Sequence, residues 1–313
     1  SLAAERRPFR GRLRMRALQL VGDRDLRQVE IEDVPAPGPG EVTLKVAAVA
    51  LNHIDVWGWR GMAFAKRKMP LTVGAEASGV VEAIGPGVSS LLPGQLVSIY
   101  GARTCGLCKA CREGRDNLCE HVSGVHGFHL DGFACERVNL PARLLVPAPP
   151  GCDAIGAALA PVTFGTVEHM LFDNARLEPG ETILVHAGGS GIGTAAIQLA
   201  KRHGATVITT VGSDEKIEPA RALGADAFLM LTDVDAVYEG WGTVDRRPIR
   251  KVTPAELTSD VFAAGSMRPK VEAACDFANA GGIAGIGRLE DARGILEGRQ
   301  GTLVTLQAIN PAS

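Results

Sequence analysis

Residues Glu181 to Lys216 read ETILVHAGGSGIGTAAIQLAKRHGATVITTVGSDEK, and the fold is decided there. Thr182-Ile183-Leu184-Val185 is a short apolar, β-branched run of the kind buried in a parallel sheet. Gly188, Gly189, Ser190, Gly191, Ile192 and Gly193 follow, then an apolar-periodic segment from Ala195 to His203 and a second β-branched run from Val207 to Val211. Strand, glycine turn, helix and strand make a βαβ unit of the kind that binds dinucleotides. The glycines let the backbone approach a pyrophosphate, whose charge is met by the unpaired N–H groups and dipole of the helix N-terminus. The spacing is not a strict G-x-G-x-x-G, because Thr194 stands where the last glycine would be.

The second strand bears on the cofactor. An NAD site would place an acid at that strand's end, hydrogen-bonded to the ribose hydroxyls. Here the strand runs into Val211-Gly212-Ser213, followed by Asp214, Glu215 and Lys216. The hydroxyl of Ser213 and the ammonium of Lys216 favour a ribose phosphate, hence NADP over NAD, although the two acids oppose them and Lys216 equally suits a solvated helix start.

At 313 residues the chain has room for two domains and a substantial core. Its net charge of −2 and pI near 6.4 argue against nucleic-acid or membrane-surface partners, leaving a small-molecule substrate. No apolar run approaches the roughly 20 residues of a membrane span. The opening SLAAERRPFRGRLR is basic without the apolar stretch of a secretory signal, and Met15 has the look of a natural start, so residues 1–14 read as an extension. Of seven cysteines, four are tightly clustered, which suggests metal binding in a reducing cytoplasm rather than a disulfide framework. A homo-oligomer is expected.

From Met15 to about 150 the pattern is all-β. Short alternating runs such as Val42-Thr43-Leu44-Lys45-Val46 and Ser78-Gly79-Val80-Val81 are broken at Pro37-Gly38, Pro86-Gly87 and Pro93-Gly94. A barrel-like β domain therefore precedes an α/β domain that begins near 151. Within the first lies Cys105-x2-Cys108-x2-Cys111-x7-Cys119. Four thiolates on one loop containing Gly106 and Gly114 can close a tetrahedral zinc site with no open position, a structural rather than catalytic arrangement. Cys135, Cys152 and Cys275 are isolated and read as packed.

The stretch Gly74-Ala75-Glu76-Ala77-Ser78-Gly79-Val80-Val81, Pro86-Gly87-Val88, Pro93-Gly94, the four-cysteine loop and Gly191-Ile192-Gly193 through Lys201 occur in one order. Residues 15–227 thereby resemble the medium-chain dehydrogenase/reductase family, in its zinc-containing alcohol dehydrogenase branch. The resemblance implies an α/β chain with a GroES-like β-barrel domain over 15–150 and a Rossmann-like doubly wound parallel sheet beginning at 151. It also implies NAD(P)H-dependent hydride transfer between the two.

The family's catalytic zinc is held by a cysteine, a histidine after the Gly of G-H-E, and a later cysteine or acid. The corresponding positions here are Asn52, Ala75 and Pro161. An amide and two groups without a ligating atom do not hold zinc, so a catalytic zinc is not expected. The form Leu51-Asn52-His53-Ile54-Asp55 resembles the zinc-independent quinone oxidoreductase-like members, where this asparagine lies beside the nicotinamide. Without a Lewis acid, the suited chemistry is hydride addition to a quinone or conjugated carbonyl. Asn52, Trp57 and Thr163 are the candidate pocket residues, and Trp57 equally suits plain packing.

After Gly224-Ala225-Asp226 the resemblance changes. Leu229-Met230-Leu231-Thr232-Asp233-Val234-Asp235-Ala236-Val237-Tyr238, Arg250-Lys251-Val252-Thr253-Pro254-Ala255-Glu256-Leu257 and Gly265-Ser266-Met267-Arg268-Pro269-Lys270 follow. They resemble the C-terminal part of carbamate kinase, of the amino-acid kinase family. Residues 228–313 therefore read as an amino-acid-kinase-like α/β segment joined near Leu223–Ala227 and completing the sheet. The resemblance implies that Lys270 corresponds to a lysine on ATP phosphates, while Arg268 replaces a glycine typical of that motif. The carbamate-binding half has no counterpart, so kinase activity is not expected and ATP binding should be weak. A nucleotide-binding product without turnover and a zinc-dependent alcohol dehydrogenase are the alternatives. Thr253-Pro254-Ala255-Glu256 predicts a capped helix start, and Val237 to Val252 a hairpin around Asp245-Arg246.

Overall fold

Alternating short runs in the first half of the chain form antiparallel strands: β1 (Arg14–Gly22), β2 (Asp25–Glu32), β3 (Glu41–Ala50), β4 (Leu71–Thr72), β5 (Glu76–Ile84), β6 (Leu96–Ile99), β7 (Arg137–Pro141) and β8 (Leu145–Pro147). They make a three-stranded sheet ordered β2-β1-β4 and a five-stranded one ordered β7-β3-β5-β6-β8. The computed structural model describes residues 14–61, 67–211, 214–262 and 267–306, so the expected N-terminal extension lies almost wholly outside the described residues. Val42, Leu44, Ala77, Val81, Val97, Ile99, Phe133 and Leu140 meet in one core, as period-2 patterning requires. Pro86-Gly87 and Pro93-Gly94 are tight turns, with φ of 81° at Gly87 and 85° at Gly94, values that only glycine adopts cheaply. The all-β reading missed the short helical elements, of which His53–Trp59 is the longest before residue 150 among the described residues. Its seven residues are too few for periodicity to reveal.

Two compact units divide between Val162 and Thr163, later than the expected 150/151. The helix starting at Ala154 belongs to the β unit because it packs on β3, β5 and β6. Ser78 and Ser98 donate through their hydroxyls to the carbonyls of Ala154 and Ala157, at 2.6 and 2.7 Å. The helical stretch Ala154–Asn174 also corrects the reading that no run approaches a membrane span, since its mean hydropathy of 1.3 and 21 residues suffice by length and composition. Ala157, Ala158, Thr163, Val167 and Leu171 along it are buried within the protein.

The second unit contains β9 (Thr182–Val185), β10 (Thr206–Thr209), β11 (Ala227–Leu231), β12 (Val237–Glu239), β13 (Arg247–Ile249), β14 (Lys251–Val252), β15 (Ile283–Gly287) and β16 (Thr302–Val304). Six of them form one sheet ordered β14-β16-β15-β11-β10-β9. It runs unbroken across the expected join, with β10 parallel to β11 through Ile208↔Ala227 and Thr209↔Phe228, and β11 parallel to β15. Asp226 secures the crossing: its backbone N–H donates to Val207 O at 2.8 Å, and its carboxylate accepts from Val207 N–H at 2.7 Å and Lys201 Nζ at 2.8 Å.

Both faces of the sheet are packed across the join. Phe228 and Met230 enter a core with Ile217, Val271, Phe277 and Ile286, while Ile208 shares the opposite face with Ala227, Leu229 and Ile295. The helices Gly191–Arg202 and Met267–Asn279 cover the first face and Ala292–Leu296 the second.

Two expectations are corrected, for β9 and for the Thr253 helix start. β9 lies at the edge of the sheet among the described strands, leaving Leu184 37% exposed, because the tail adds beside β11 instead. The expected parallel sheet is present through β9, β10, β11 and β15, and β16 joins it antiparallel to β15 with β14 parallel to β16. Thr253–Glu256 makes the bonds of a capped start, with Glu256 Oε2 accepting from Thr253 N–H and Oγ1 at 3.0 and 2.8 Å. The chain there is only a turn, because Thr258 turns extended at ψ 114° before a helix can propagate. The hairpin is present, with Val237↔Ile249 and Glu239↔Arg247 paired.

The packed crossing has a measurable consequence. Phe228 is 1% exposed with its ring 5.8 Å from that of Phe277, so Phe228→Ala should cost about 3–5 kcal/mol in denaturant unfolding. Brief proteolysis of the parent protein should leave residues 225–236 uncut. Rapid cleavage there, releasing a stable N-terminal fragment, would show the tail is not integrated.

Candidate functional site

The glycine turn is built by close approach. A Cβ at Gly188 would sit 2.1 Å from Thr209 Oγ1, and one at Gly193 2.2 Å from Ala187 O, so both positions exclude side chains. Ser190 caps the helix Gly191–Arg202, accepting from Gly193 N–H at 3.0 Å. Twelve residues long, that helix directs its first N–H groups and the positive end of its dipole at the turn. Thr194, the departure from the glycine pattern, folds its hydroxyl back onto Gly191 O at 2.9 Å and so stays off the loop.

Two of the sequence candidates join this loop. Thr163 is buried, and its methyl is what a Cβ on Gly191 would meet, at 3.9 Å. Lys216 lays its aliphatic stem over Gly189, where a Cβ would meet its Cδ at 2.6 Å. That contact places an ammonium at the rim of the turn. Ser213 lies outside the described residues. The sequence reading missed His186 and Thr210, which close the loop from the strand side. Thr210 Oγ1 accepts from Ala187 N–H at 3.1 Å and lies 3.3 Å from His186 Nδ1. A polar pair just after two adjacent strands was the available signal.

Asn52 and Trp57 belong to the β unit, at the start of and within the His53–Trp59 helix. Trp57 is 43% exposed, with its ring 6.1 Å from that of His53. Asn52 Nδ2 donates to Glu76 Oε2 at 2.9 Å, and Glu76 Oε1 accepts from Val162 N–H at 2.8 Å. Asp55 Oδ2 accepts from Asn52 N–H at 2.8 Å, and its Oδ1 from Gly74 N–H at 3.2 Å. Burial pushes the Asp55 carboxyl upward, and the backbone N–H groups of Asn52, Gly74 and Ala75 oppose that shift. Neither Glu76 nor Asp55 was among the candidates, although both stand in the motifs quoted for the resemblance.

The sulfurs of Cys105, Cys108, Cys111 and Cys119 all lie within 4.8 Å of one another. Leu107 and Cys108 N–H donate to Cys105 Sγ at 3.4 and 3.3 Å, which lowers the Cys105 thiol to about 6. Burial and the neighbouring Cys108 push Cys111 up to about 12. Gly106 and Gly114, at φ of 72° and 73°, make the turns that gather the four. Four converging sulfurs, one already favoured as thiolate by two N–H donors, fit a structural zinc.

The tail carries a cavity of its own. It measures about 820 Å³ beyond the carboxyl end of β11, with Asp233, Tyr238, Trp241, Glu256 and Phe262 in its lining. Arg246 lies over the rings of Tyr238 and Trp241.

Residues 38–150 match the alcohol dehydrogenase GroES-like domain, and residues 212–286 match the amino acid kinase family, beginning upstream of the expected join. The chain is similar to the acryloyl-coenzyme A reductase of Metallosphaera sedula, 34% identical over 203 residues, 64% of this chain and 60% of that protein. It is also 34% identical over 239 residues to an alcohol dehydrogenase of Geobacillus stearothermophilus, 74% of this chain and 69% of that one. Among solved structures, an NAD-dependent alcohol dehydrogenase superposes with a TM-score of 0.63 at 39% identity, covering 70% of this chain and 71% of that one. The chain thus spans only about three fifths to seven tenths of these relatives' lengths. The barrel domain, the glycine turn on its doubly wound sheet and these likenesses place the chain in the medium-chain dehydrogenase/reductase family, with a C-terminal segment similar to the amino acid kinase family.

Proposed function

We propose that the chain is an NADP-preferring oxidoreductase that transfers hydride to a quinone or conjugated carbonyl without a catalytic zinc. The observation that carries this is the Asn52–Glu76 hydrogen bond at 2.9 Å. Asn52, Ala75 and Pro161 occupy the positions where the family resemblance would put zinc ligands, and the amide is engaged with a carboxylate. This donor set does not fit zinc, so no step runs through a metal.

The reduced cofactor, NADPH, would supply the hydride when bound. The chain's own residues do the rest. Gly188, Gly189 and Gly193 admit the pyrophosphate, the Ser190-capped helix offers N–H groups to it, and Lys216 meets a ribose phosphate. Thr163 lies against the glycine turn, where a Cβ on Gly191 would meet its methyl at 3.9 Å. NADP is chosen over the NAD named for one relative on the Lys216–Gly189 contact. We further assign one structural zinc to the four cysteines, the cytoplasm as compartment, a homo-oligomeric state and no nucleic-acid or membrane partner.

A second reading, nucleotide binding without turnover, is favoured by one observation. The sheet ends at β9 among the described residues, where the resemblance leads one to expect further Rossmann strands.

Titration with NADPH and NADH, followed by nicotinamide fluorescence, tests the first reading; absence of binding by both would contradict it. NADPH binding with no oxidation by quinones or enones would select the second. Lys216→Ala should weaken NADPH about fivefold, near ~1 kcal/mol for an exposed charge pair, and leave NADH unchanged. Equal loss for both cofactors would remove the phosphate role.

Metal analysis of chelator-washed protein should give one zinc per chain, lost in Cys108→Ser. A second equivalent, or zinc retained in that variant, would overturn the assignment.

A further inference from the structure

We propose that the cavity beyond the carboxyl end of β11 binds an organic cation, an ammonium group carried on an aromatic or apolar body, in place of a nucleotide. The proposal concerns the tail alone and does not depend on the oxidoreductase reading.

Every residue lining this cavity belongs to the second unit, and its volume of about 820 Å³ falls in the range that encloses a small organic molecule. Part of the lining is apolar. Leu257 is buried, and Ile249, Phe262 and Met267 pack against the same core. Tyr238 and Trp241 add two rings with centroids 5.4 Å apart, and Trp241 is 60% exposed, open to an incoming ligand.

The charges in the lining have one sign. Asp233, Glu239 and Glu256 contribute carboxylates, and no lysine, arginine or histidine accompanies them. The carboxylates of Asp233 and Glu239 have no hydrogen-bond or ion-pair partner among the described residues. Glu256 accepts from Thr253 N–H and Oγ1 on a single oxygen, Oε2, and those two donors hold its carboxyl below the usual carboxylate range.

Three arginines come close without entering the lining. Arg250 donates to Gly301 O and Arg268 to Phe262 O, each at 3.3 Å. Arg246 lies 5.6 and 5.7 Å from the ring centroids of Tyr238 and Trp241. Its position shows what this aromatic pair attracts, since a ring face carries the negative part of its quadrupole and draws a cation.

The likeness to the amino acid kinase family leads one to expect a nucleotide in the tail. Phosphates would bring further negative charge to three carboxylates, with no basic side chain in the lining to meet it. An ammonium gains from the same three acids and from the rings, while its apolar body takes the wall around Leu257. Each exposed acid contributes little alone, so the selectivity rests on their convergence.

Trp241 supplies the reporter in the full chain. The 15N-labelled protein has three tryptophan indole N–H signals, and Trp241→Phe identifies the one at the cavity. Titration with 2-phenylethylammonium should displace that signal saturably and leave those of Trp57 and Trp59 in place. The neutral 2-phenylethanol should bind about fivefold more weakly, and neither 3-phenylpropanoate nor ADP should displace the signal. Glu239→Gln and Asp233→Asn should each weaken the ammonium about threefold and leave the alcohol unchanged, with the other two indole signals reporting that the fold is kept.

No displacement of the Trp241 signal by the ammonium would overturn the proposal, as would equal affinity for ammonium and alcohol. Ammonium affinity unchanged in both acid variants would do the same. ADP binding more tightly than the ammonium would return the cavity to a nucleotide.

Discussion

The parallel pairing of β10 with β11 is the constraint on which the second unit depends. Only Ile208↔Ala227 and Thr209↔Phe228 are in register there, and Asp226 reinforces the crossing from both backbone and side chain. Everything beyond β11 hangs on that short ladder. It succeeds because each face continues across it: Val207 and Thr209 on one side lead to Phe228 and Met230, while Ile208 leads to Ala227 and Leu229. Two layers that match in period and in the apolar character of each face can share a sheet without a long shared history of packing.

The same pairing shapes the glycine turn. Gly188 touches Thr209, and His186 and Ala187 lean on Thr210, so the turn is shaped by the strand that also carries the tail. Loosening β10 would therefore be felt at the glycine turn. In the β unit the organising groups are instead two carboxylates. Asp55 and Glu76 gather Asn52, Gly74 and Val162, at the position where the resemblance would put zinc ligands, and a hydrogen-bonded amide is what they hold.

Much of this was legible. The run from Thr182 through the glycines to Val211 announced strand, turn, helix and strand, because those periods differ and glycine marks the close approaches. The cysteine spacing announced a metal loop, and the sulfurs converge. What escaped has physical reasons. β9 has the composition of a buried strand, yet neighbours decide burial, and the tail chose the side of β11. The Thr253–Glu256 bonds form without a helix, since a cap lowers the cost of nucleation but does not propagate one. Glu76 was invisible as a partner of Asn52 because their contact joins residues 24 apart in sequence.

Native-state hydrogen exchange at the strand amides tests the continuity of the sheet most directly. If β10, β11 and β15 are one cooperative layer, the amides of Val207, Phe228 and Ile286 exchange with a common opening free energy, that of unfolding the whole unit. Phe228 and Ile286 exchanging more than about tenfold faster than Val207 would contradict it, and would show that the tail opens apart from the half that carries the glycine turn.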